Sequence, residues 1–324
     1  MGTPHPPAAL RYRHGLKNEF SNVILARLID WAPIEQPLQQ TADWKTAEGA
    51  ARFLKEDHEK PFFLGCGIYL PHLPWYLPRE YFELHPLDAI QLPSHRPDDF
   101  EDIPEAGRRM AAKDGAIIRG SGKWKEAVQG CLAAGSFADA CVGHVLRALE
   151  KSRYADNTIV VLWGDHGYDV GGKKFAKSAL WEQNTRTPLI IHLPETLGGN
   201  PKAGSCSRPV SLLDLYPTLL DLCGLPPNPK VEGRSIAPLV RDPQLKWPFP
   251  AVITHSPHWH GSSHAVRSEL FHYIHYGRGG EELYDVSRDP NQWHNLAGDP
   301  EYRETKKVLR KWLPKSNAPH FRAN

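Results

Sequence analysis

The stretch NTIVVLWGDHGYDVGGKKFAKSALWEQNTRTPLIIHLP, Asn157 to Pro194, gathers a carboxylate, an imidazole and three ammonium groups. Asp165 and His166 sit in the turn Gly164-Asp165-His166-Gly167, and Lys173, Lys174 and Lys177 follow in a Gly-rich loop. An oxygen donor beside a nitrogen donor can hold a metal ion, and ammonium groups can neutralise the oxygens of an anion. The combination suits a metal ion holding an anionic substrate. Lys173 and Lys174, a short charge run, also read as a solvated face. A further candidate is His72 in Pro71-His72-Leu73-Pro74. Proline on both sides fixes its backbone before any ligand arrives, although a loop histidine bonded to backbone would look the same.

These side chains need strands to present them. Thr158 to Trp163 is β-branched and apolar and reads as a buried strand, and Thr187 to Leu193 reads as a second. Open α/β sheets bind ligands just past such strand ends. Pro61 to Leu70, apolar on both faces, reads as a fully buried central strand ending at His72. Thr41 to Glu59 reads as a helix with Trp44, Ala47, Ala51, Phe53 and Leu54 near one face and Thr41 or Asp43 as cap. The longest helix is Lys123 to Ser152, with a stripe through Trp124, Val128, Cys131, Gly135, Ala138, Val142, Val145 and Leu149 facing the sheet. Tyr81 to Arg119 is rich in Pro and Asp and reads as a long irregular loop.

The succession of helix, strand, ligand-bearing turn, helix and strand predicts an α/β fold with a largely parallel sheet flanked by helices. Pro209 to Leu213 reads as a short strand, followed by a helix capped by Asp214 and ended by Gly224. Beyond Pro238 to Pro250 the pattern alternates. Ala251 to Thr254, Ala265 to Arg267, Phe271 to Tyr276 and Glu282 to Val286 predict a small antiparallel sheet, and Asp299-Pro300 opens a final helix reaching Leu313. The expected division is an irregular lead-in over 1–40, an α/β core over 41–245 and a C-terminal α+β subdomain over 246–324.

With Lys+Arg 39 against Asp+Glu 37, the net charge of +2 argues against nucleic acid and acidic membrane surfaces as partners. The chain is 40% hydrophobic with a mean hydropathy of -0.49, and no apolar run approaches the length that spans a bilayer. The beginning, MGTPHPPAALRYRHGLKNEF, has no apolar region of the secretory kind, and within 1–40 only Val23 to Ile29 forms a short apolar turn. Cys66, Cys131, Cys141, Cys206 and Cys223 contain no CxxC pair and read as small core residues.

The order strand, GDHG, Gly/Lys loop ending in Lys177, then LWEQNTRTPLII resembles the sulfatase family of the alkaline-phosphatase-like superfamily. The likeness is strongest to iduronate-2-sulfatase-like and choline-sulfatase-like bacterial members. PFFLGCGIYLPHLPWYLPREYF, VSLLDLYPTLLDLCGL and ELYDVSRDPNQWHNLAGDPEY resemble that family in the expected order, from about Leu28 to about Leu313. The resemblance implies sulfate-ester hydrolysis on a carbohydrate, calcium as cofactor and a periplasmic or secreted setting. It implies Asp165 and His166 as metal ligands, Lys177 as the sulfate-binding cation, and His72 as sulfate contact or proton donor. It places His264 and Arg267 at the active-site rim, as substrate contacts.

The resemblance has gaps. Members use a formylglycine made from a C/S-x-P-x-R motif, and no Cys or Ser of this sequence supplies one. The early acidic pair that completes the calcium site is also absent, so the residues present form half a metal site and the chain reads as lacking the family's N-terminal part. Asp169 and Gly172 stand where relatives commonly have His and Glu. The expectation is a chain inactive or impaired on sulfate esters. Two rival readings are a phosphodiesterase or phosphonate hydrolase with two metals, and a non-catalytic remnant that binds anionic glycan. The tract His255, His258, His260 and His264 reads as a surface or pocket-edge loop, with metal binding as the alternative.

Overall fold

The computed structural model describes residues 29–111, 114–199, 204–256 and 261–317. The expected lead-in before residue 29, most of its apolar turn, and His258 and His260 lie outside the described residues. The chain forms two units that interleave along the sequence. One is built from described parts of Met1–Pro93, Lys113–Thr158 and Val170–Phe175, the other from Ser94–Ala112, Ile159–Asp169 and Ala176–Asn324.

In the first unit, β1 (Trp31–Ile34) and β2 (Trp75–Pro78) pair in parallel with Trp31 opposite Trp75. Between them in sequence runs α1 (Ala42–Lys55), the helical crossover that a parallel pair requires. The long helix α2 (Trp124–Glu150) packs on α1 and on both strands. Its buried face runs through Ala127, Val128, Gly130, Ala134, Phe137, Cys141 and Leu149, so Val128 and Leu149 of the expected stripe are buried, whereas Cys131, Gly135, Ala138 and Val142 are not. The partner decides this. A Cβ on Gly130 would stand 3.0 Å from Trp75 and 3.1 Å from Trp31, so the helix presents small residues to two indoles.

Pro61 to Leu70 is not a buried strand. It runs extended without regular ladder pairing, its residues alternate in exposure, and Phe63 is 82% exposed. Its final amides are satisfied by a side chain instead, because the buried Asp43 accepts from Tyr69 N–H at 3.0 Å and Leu70 N–H at 2.9 Å. Asp43 therefore does not cap α1, and Thr41 turns its hydroxyl to Leu38 O at 2.6 Å. The strand of this region comes later, at Trp75. The long loop expected over 81–119 contains helices Arg79–Glu83, Glu105–Ala111 and Asp114–Gly120.

Lys173 and Lys174 are also buried, contrary to the solvated-face reading. Arg119 donates to Gly171 O at 2.6 Å and Gly172 O at 2.8 Å, and Trp124 Nε1 donates to Val170 O at 2.6 Å. That clamp draws the loop inward. Lys174 Nζ then stands 4.0 Å from Asp114, whose carboxyl burial pushes upward against the pull of the ammonium.

In the second unit, β3 (Val160–Trp163) and β4 (Leu189–His192) are antiparallel, Trp163 opposite Leu189, where the sequence predicted parallel strands. The one helix between them, Glu182–Thr185, is a single turn, too short to carry a crossover along the sheet. The strands are half-exposed, with Trp163 50% and Ile190 60% accessible. Pro209 to Val210 is not strand, and Leu212–Asp214 forms a 3-10 turn with Ser211 and Asp214 as a reciprocal capping box. Helix α3 (Leu215–Leu222) follows and ends before Gly224, whose φ is +64.

The C-terminal antiparallel sheet forms as predicted, in the order β8 (Glu281–Asp285), β7 (Phe271–His275), β6 (Ser263–Arg267), β5 (Ala251–His255). One face buries Tyr273, Leu283 and Val266 under α4 (Arg303–Arg310), and the other buries Ile274, Tyr276 and Tyr284 with Leu180 and Trp181. Asp299 opens the terminal helical segment by accepting from Glu301 N–H at 2.9 Å. All five cysteines are free, but Cys206 and Cys223 are exposed, so the small-core reading holds for Cys141 and fails for those two. Cys206 lies in a loop and Cys223 at the end of α3.

Candidate functional site

The GDHG turn is folded tightly onto the segment before β4. Gly164 N–H donates to Pro188 O at 3.1 Å and Gly167 N–H to Asn184 O at 3.0 Å. Side chains do not fit here: a Cβ on Gly167 would collide with the carbonyls of Gln183 and Arg186, and one on Gly164 with Thr187. The two glycines thus allow the close approach that presents Asp165 and His166 at the tip of the β3–β4 ribbon.

His166 Nδ1 lies 2.9 Å from Gly167 O, and because a carbonyl only accepts, Nδ1 carries the proton. In the neutral ring, Nε2 then carries the lone pair. That atom is buried, has no hydrogen-bond partner among the described residues, and stands 3.6 Å from Asp165 Oδ2. Asp165 itself is 85% exposed. An unprotonated imidazole nitrogen facing a carboxylate is the donor arrangement of a metal site. No group of three or more His, Cys, Asp and Glu residues that could hold a metal occurs among the described residues. The pair supplies one oxygen and one nitrogen donor, well short of the six to eight oxygens that calcium takes.

Asp165 and His166 open onto a cleft of about 2170 Å³ in the second unit, lined also by Lys177, Glu182, Arg186, Arg208 and Arg267. Lys177 precedes Ser178, which has a φ of 68, a left-handed turn that an L-residue adopts only when its surroundings impose it. They do: the following Ala179, Leu180 and Trp181 are buried, and Trp181 Nε1 donates to Glu282 at 2.8 Å. Glu282, wholly buried, also accepts from Tyr276 and Tyr284 hydroxyls at 2.6 Å each. The C-terminal sheet thereby fixes the backbone that carries Lys177.

Arg267 lines the same cleft, with its guanidinium committed to Glu182 and to the carbonyls of Ser268 and Glu269. Glu182 N–H donates to Gln292 Oε1 at 2.7 Å, and Gln292 Nε2 lies 2.8 Å from His272 Nδ1. Burial would raise the Glu182 carboxyl, but His272 and Arg267 outweigh it and bring it to about 2. His264 is 5% exposed within the sheet, its Nδ1 3.0 Å from Thr254 Oγ1, and burial lowers its basicity. His72 belongs to the first unit. Its Nδ1 lies 2.6 Å from Leu73 O and 2.9 Å from Tyr69 Oη, so its tautomer is set as in His166. The second unit thus brings together Asp165, His166, Lys177 and Arg267 on one cleft, while His264 is buried in the sheet and is not among the cleft's lining residues.

Sequence reasoning missed Glu182, Gln292, His272 and Glu282. Trp181-Glu182 is adjacent to the lysine loop and carried the signal, but its partners lie about a hundred residues on and share no local pattern with it.

Comparison with known proteins shows the family. The Sulfatase family model matches residues 11–225, and the model for the C-terminal region of N-sulphoglucosamine sulphohydrolase matches 164–318. The chain is 37% identical over 296 residues to a sulfatase of Formosa agariphila, covering 89% of this chain and 56% of that protein. It is 27% identical over 353 residues to mouse (Mus musculus) iduronate 2-sulfatase, covering 80% of this chain and 62% of that one. The chain therefore spans little more than half the length of these relatives. Among solved structures, one in complex with its substrate D-glucosamine-2-N,6-O-disulfate superposes with a TM-score of 0.67 at 21% identity, over 83% of this chain and 68% of that chain.

Proposed function

Because the chain belongs to the sulfatase family, we propose that its cleft recognises the sulfate ester of a sulfated carbohydrate. One observation carries the reading: Asp165, His166 and Lys177 line a single cleft, with the His166 lone pair turned toward the Asp165 carboxylate. Lys177 supplies the charge that pairs with non-bridging sulfate oxygens. Among the described residues, Asp165 and His166 are the pair offered to a metal such as Ca2+, which when bound would stabilise negative charge on the sulfate. The fit is partial, and the remaining ligands come from outside this pair. His72, with its tautomer fixed by Leu73 O, is suited to hold or deliver a proton through Nε2. Arg267 serves this reading as the residue that holds Glu182. A larger parallel sheet flanked by helices also belongs to it, supported by the parallel β1–β2 pair backed by α2.

Hydrolysis additionally needs a nucleophile aimed at sulfur, and these 324 residues contain no C/S-x-P-x-R. We therefore expect binding with little turnover from the 324-residue chain. Calorimetry with glucosamine 6-sulfate, alongside a p-nitrophenyl sulfate assay, tests both halves. Saturable binding weakened at least tenfold in Lys177→Ala supports the reading. Absence of binding removes it, and robust turnover removes the expectation of impairment.

A further inference from the structure

A second concavity, of about 430 Å³, lies in the same unit between the proline-rich lead into β5 and α4. Its wall includes Pro250, Phe271, Val308 and Trp312, with Ser268 and Glu304 at polar positions. The volume is in the range of small-molecule sites. The indole of Trp312 is held before any ligand arrives: Phe249 meets it edge-on at 6.1 Å and the Arg234 guanidinium lies 5.7 Å from its ring. Nothing so far assigns this groove a role.

Its position relative to the cleft suggests one. Arg267, Glu269 and Leu270 line the cleft while Ser268 and Phe271, in the same turn, line the groove. Likewise Ala251 faces the cleft and Pro250 the groove. The two share a wall, which sets the groove next to the cleft. The charge differs between them. The cleft sets Lys177 and Arg186 beside acidic residues such as Asp165 and Glu182, with Arg208 paired to Glu269, whereas the groove's charged lining residue is Glu304, paired at the surface with Lys307 at 3.4 Å. A sulfated ring would meet a carboxylate there. An uncharged pyranose would instead lay its C–H face on the aromatic rings and donate hydroxyls to Glu304 and Ser268.

We propose that this groove is a second carbohydrate subsite, taking an unsulfated ring of the same glycan whose sulfated ring occupies the cleft. The link to the cleft rests on the reading above; the groove's preference for a neutral sugar does not. The 324-residue chain with 15N-labelled indoles is titrated with uncharged chitotetraose. It is titrated separately with glucosamine 6-sulfate and with chitotetraose bearing one terminal 6-O-sulfate. Chitotetraose should shift the Trp312 indole saturably, at least fivefold more weakly in Val308→Asp. The sulfated tetrasaccharide should bind at least fivefold tighter than the monosaccharide, a gain lost in that variant. Thr305→Arg blocks the groove from another position and keeps the test readable should Val308→Asp not fold.

No Trp312 response together with no gain from chain length overturns the subsite, even where glucosamine 6-sulfate still binds in the cleft. A Trp312 response without any binding of sulfated sugar upholds the groove as a neutral-sugar site and removes the cleft reading. Self-association abolished by Val308→Asp, with no response to sugar, overturns the proposal in favour of a second copy of the chain.

Discussion

Glu182 and Arg267 form a two-point ion pair, Nε to Oε2 at 2.9 Å and Nη2 to Oε1 at 3.4 Å, that ties the segment following Lys177 to β6. Both side chains are largely buried, 16% and 23% exposed. A pair of this kind is costly to break from one side, because the survivor is left charged and unpaired. Arg267→Ala should therefore lower unfolding stability by about 3–5 kcal/mol. Arg267→Lys should lose less, keeping the charge but not the planar fork. Urea denaturation of the three proteins measures both. A change below about 0.5 kcal/mol for Arg267→Ala, typical of surface substitutions, would show that the pair is not structural.

The same carboxyl makes stability depend on pH with a defined sign. Glu182 is held at about 2, below its ordinary 4.5, so its ionised form is favoured by folding. Its contribution is complete above pH 4.5 and is lost as the pH falls toward 2. The size is about 3 kcal/mol from the linkage relation. Glu182→Gln should be less stable than the parent at pH 6, with the difference shrinking through that acid window. A difference that grew on acidification would reverse the assignment.

Glu282 holds a different kind of anchor. Three donors, Trp181 Nε1 and the hydroxyls of Tyr276 and Tyr284, converge on one buried carboxylate. Glu282→Ala removes the acceptor these three donors share, at about 1–3 kcal/mol for each buried group left unsatisfied. Loss of folding at ambient temperature is the expected outcome. Glu282→Gln retains one acceptor oxygen and should fold with a lower denaturation midpoint. A Glu282→Ala protein as stable as the parent would mean that the network contributes nothing.

How much of this was legible beforehand depended on whether the signal was local. The C-terminal sheet, α1 and the GDHG turn are written in alternation, helical spacing and glycine placement, and the structure places them where those patterns said. The face of α2 was partly misread because apolar spacing favours large residues, while the tryptophans at positions 31 and 75 demand Gly130 and its small neighbours. Pro61 to Leu70 was misread because a continuous apolar run does not say whether neighbours exist on both sides. Lys173 and Lys174 were read as solvated from their charge, yet Arg119 and Trp124 pull their loop inward through backbone carbonyls. The site divides the same way. Asp165, His166 and Lys177, which line the cleft, lie within thirteen residues of sequence and stand out by type, whereas Glu182's partners come from β6, β7 and the turn at Gln292.

The metal prediction follows from tautomer and geometry together. The Nδ1 proton of His166 is held on Gly167 O, which makes Nε2 the nitrogen available to a metal, and the exposed Asp165 carboxyl stands beside it. With these two donors at the cleft among the described residues, Ca2+ binding should be weak and of one ion per chain, strengthened by sulfated ligand that adds oxygens. Asp165→Asn removes the formal charge and should abolish detectable Ca2+ binding. His166→Ala should weaken it less, since calcium prefers oxygen to nitrogen. Should His166 matter more than Asp165, and zinc bind more tightly than calcium, the site is of the imidazole-preferring kind, and two zinc ions per chain would favour phosphoester or phosphonate chemistry. Calorimetry with each metal, in the presence and absence of glucosamine 6-sulfate, separates these outcomes, because only a shared metal and sulfate site makes each ligand tighten the other by the same factor.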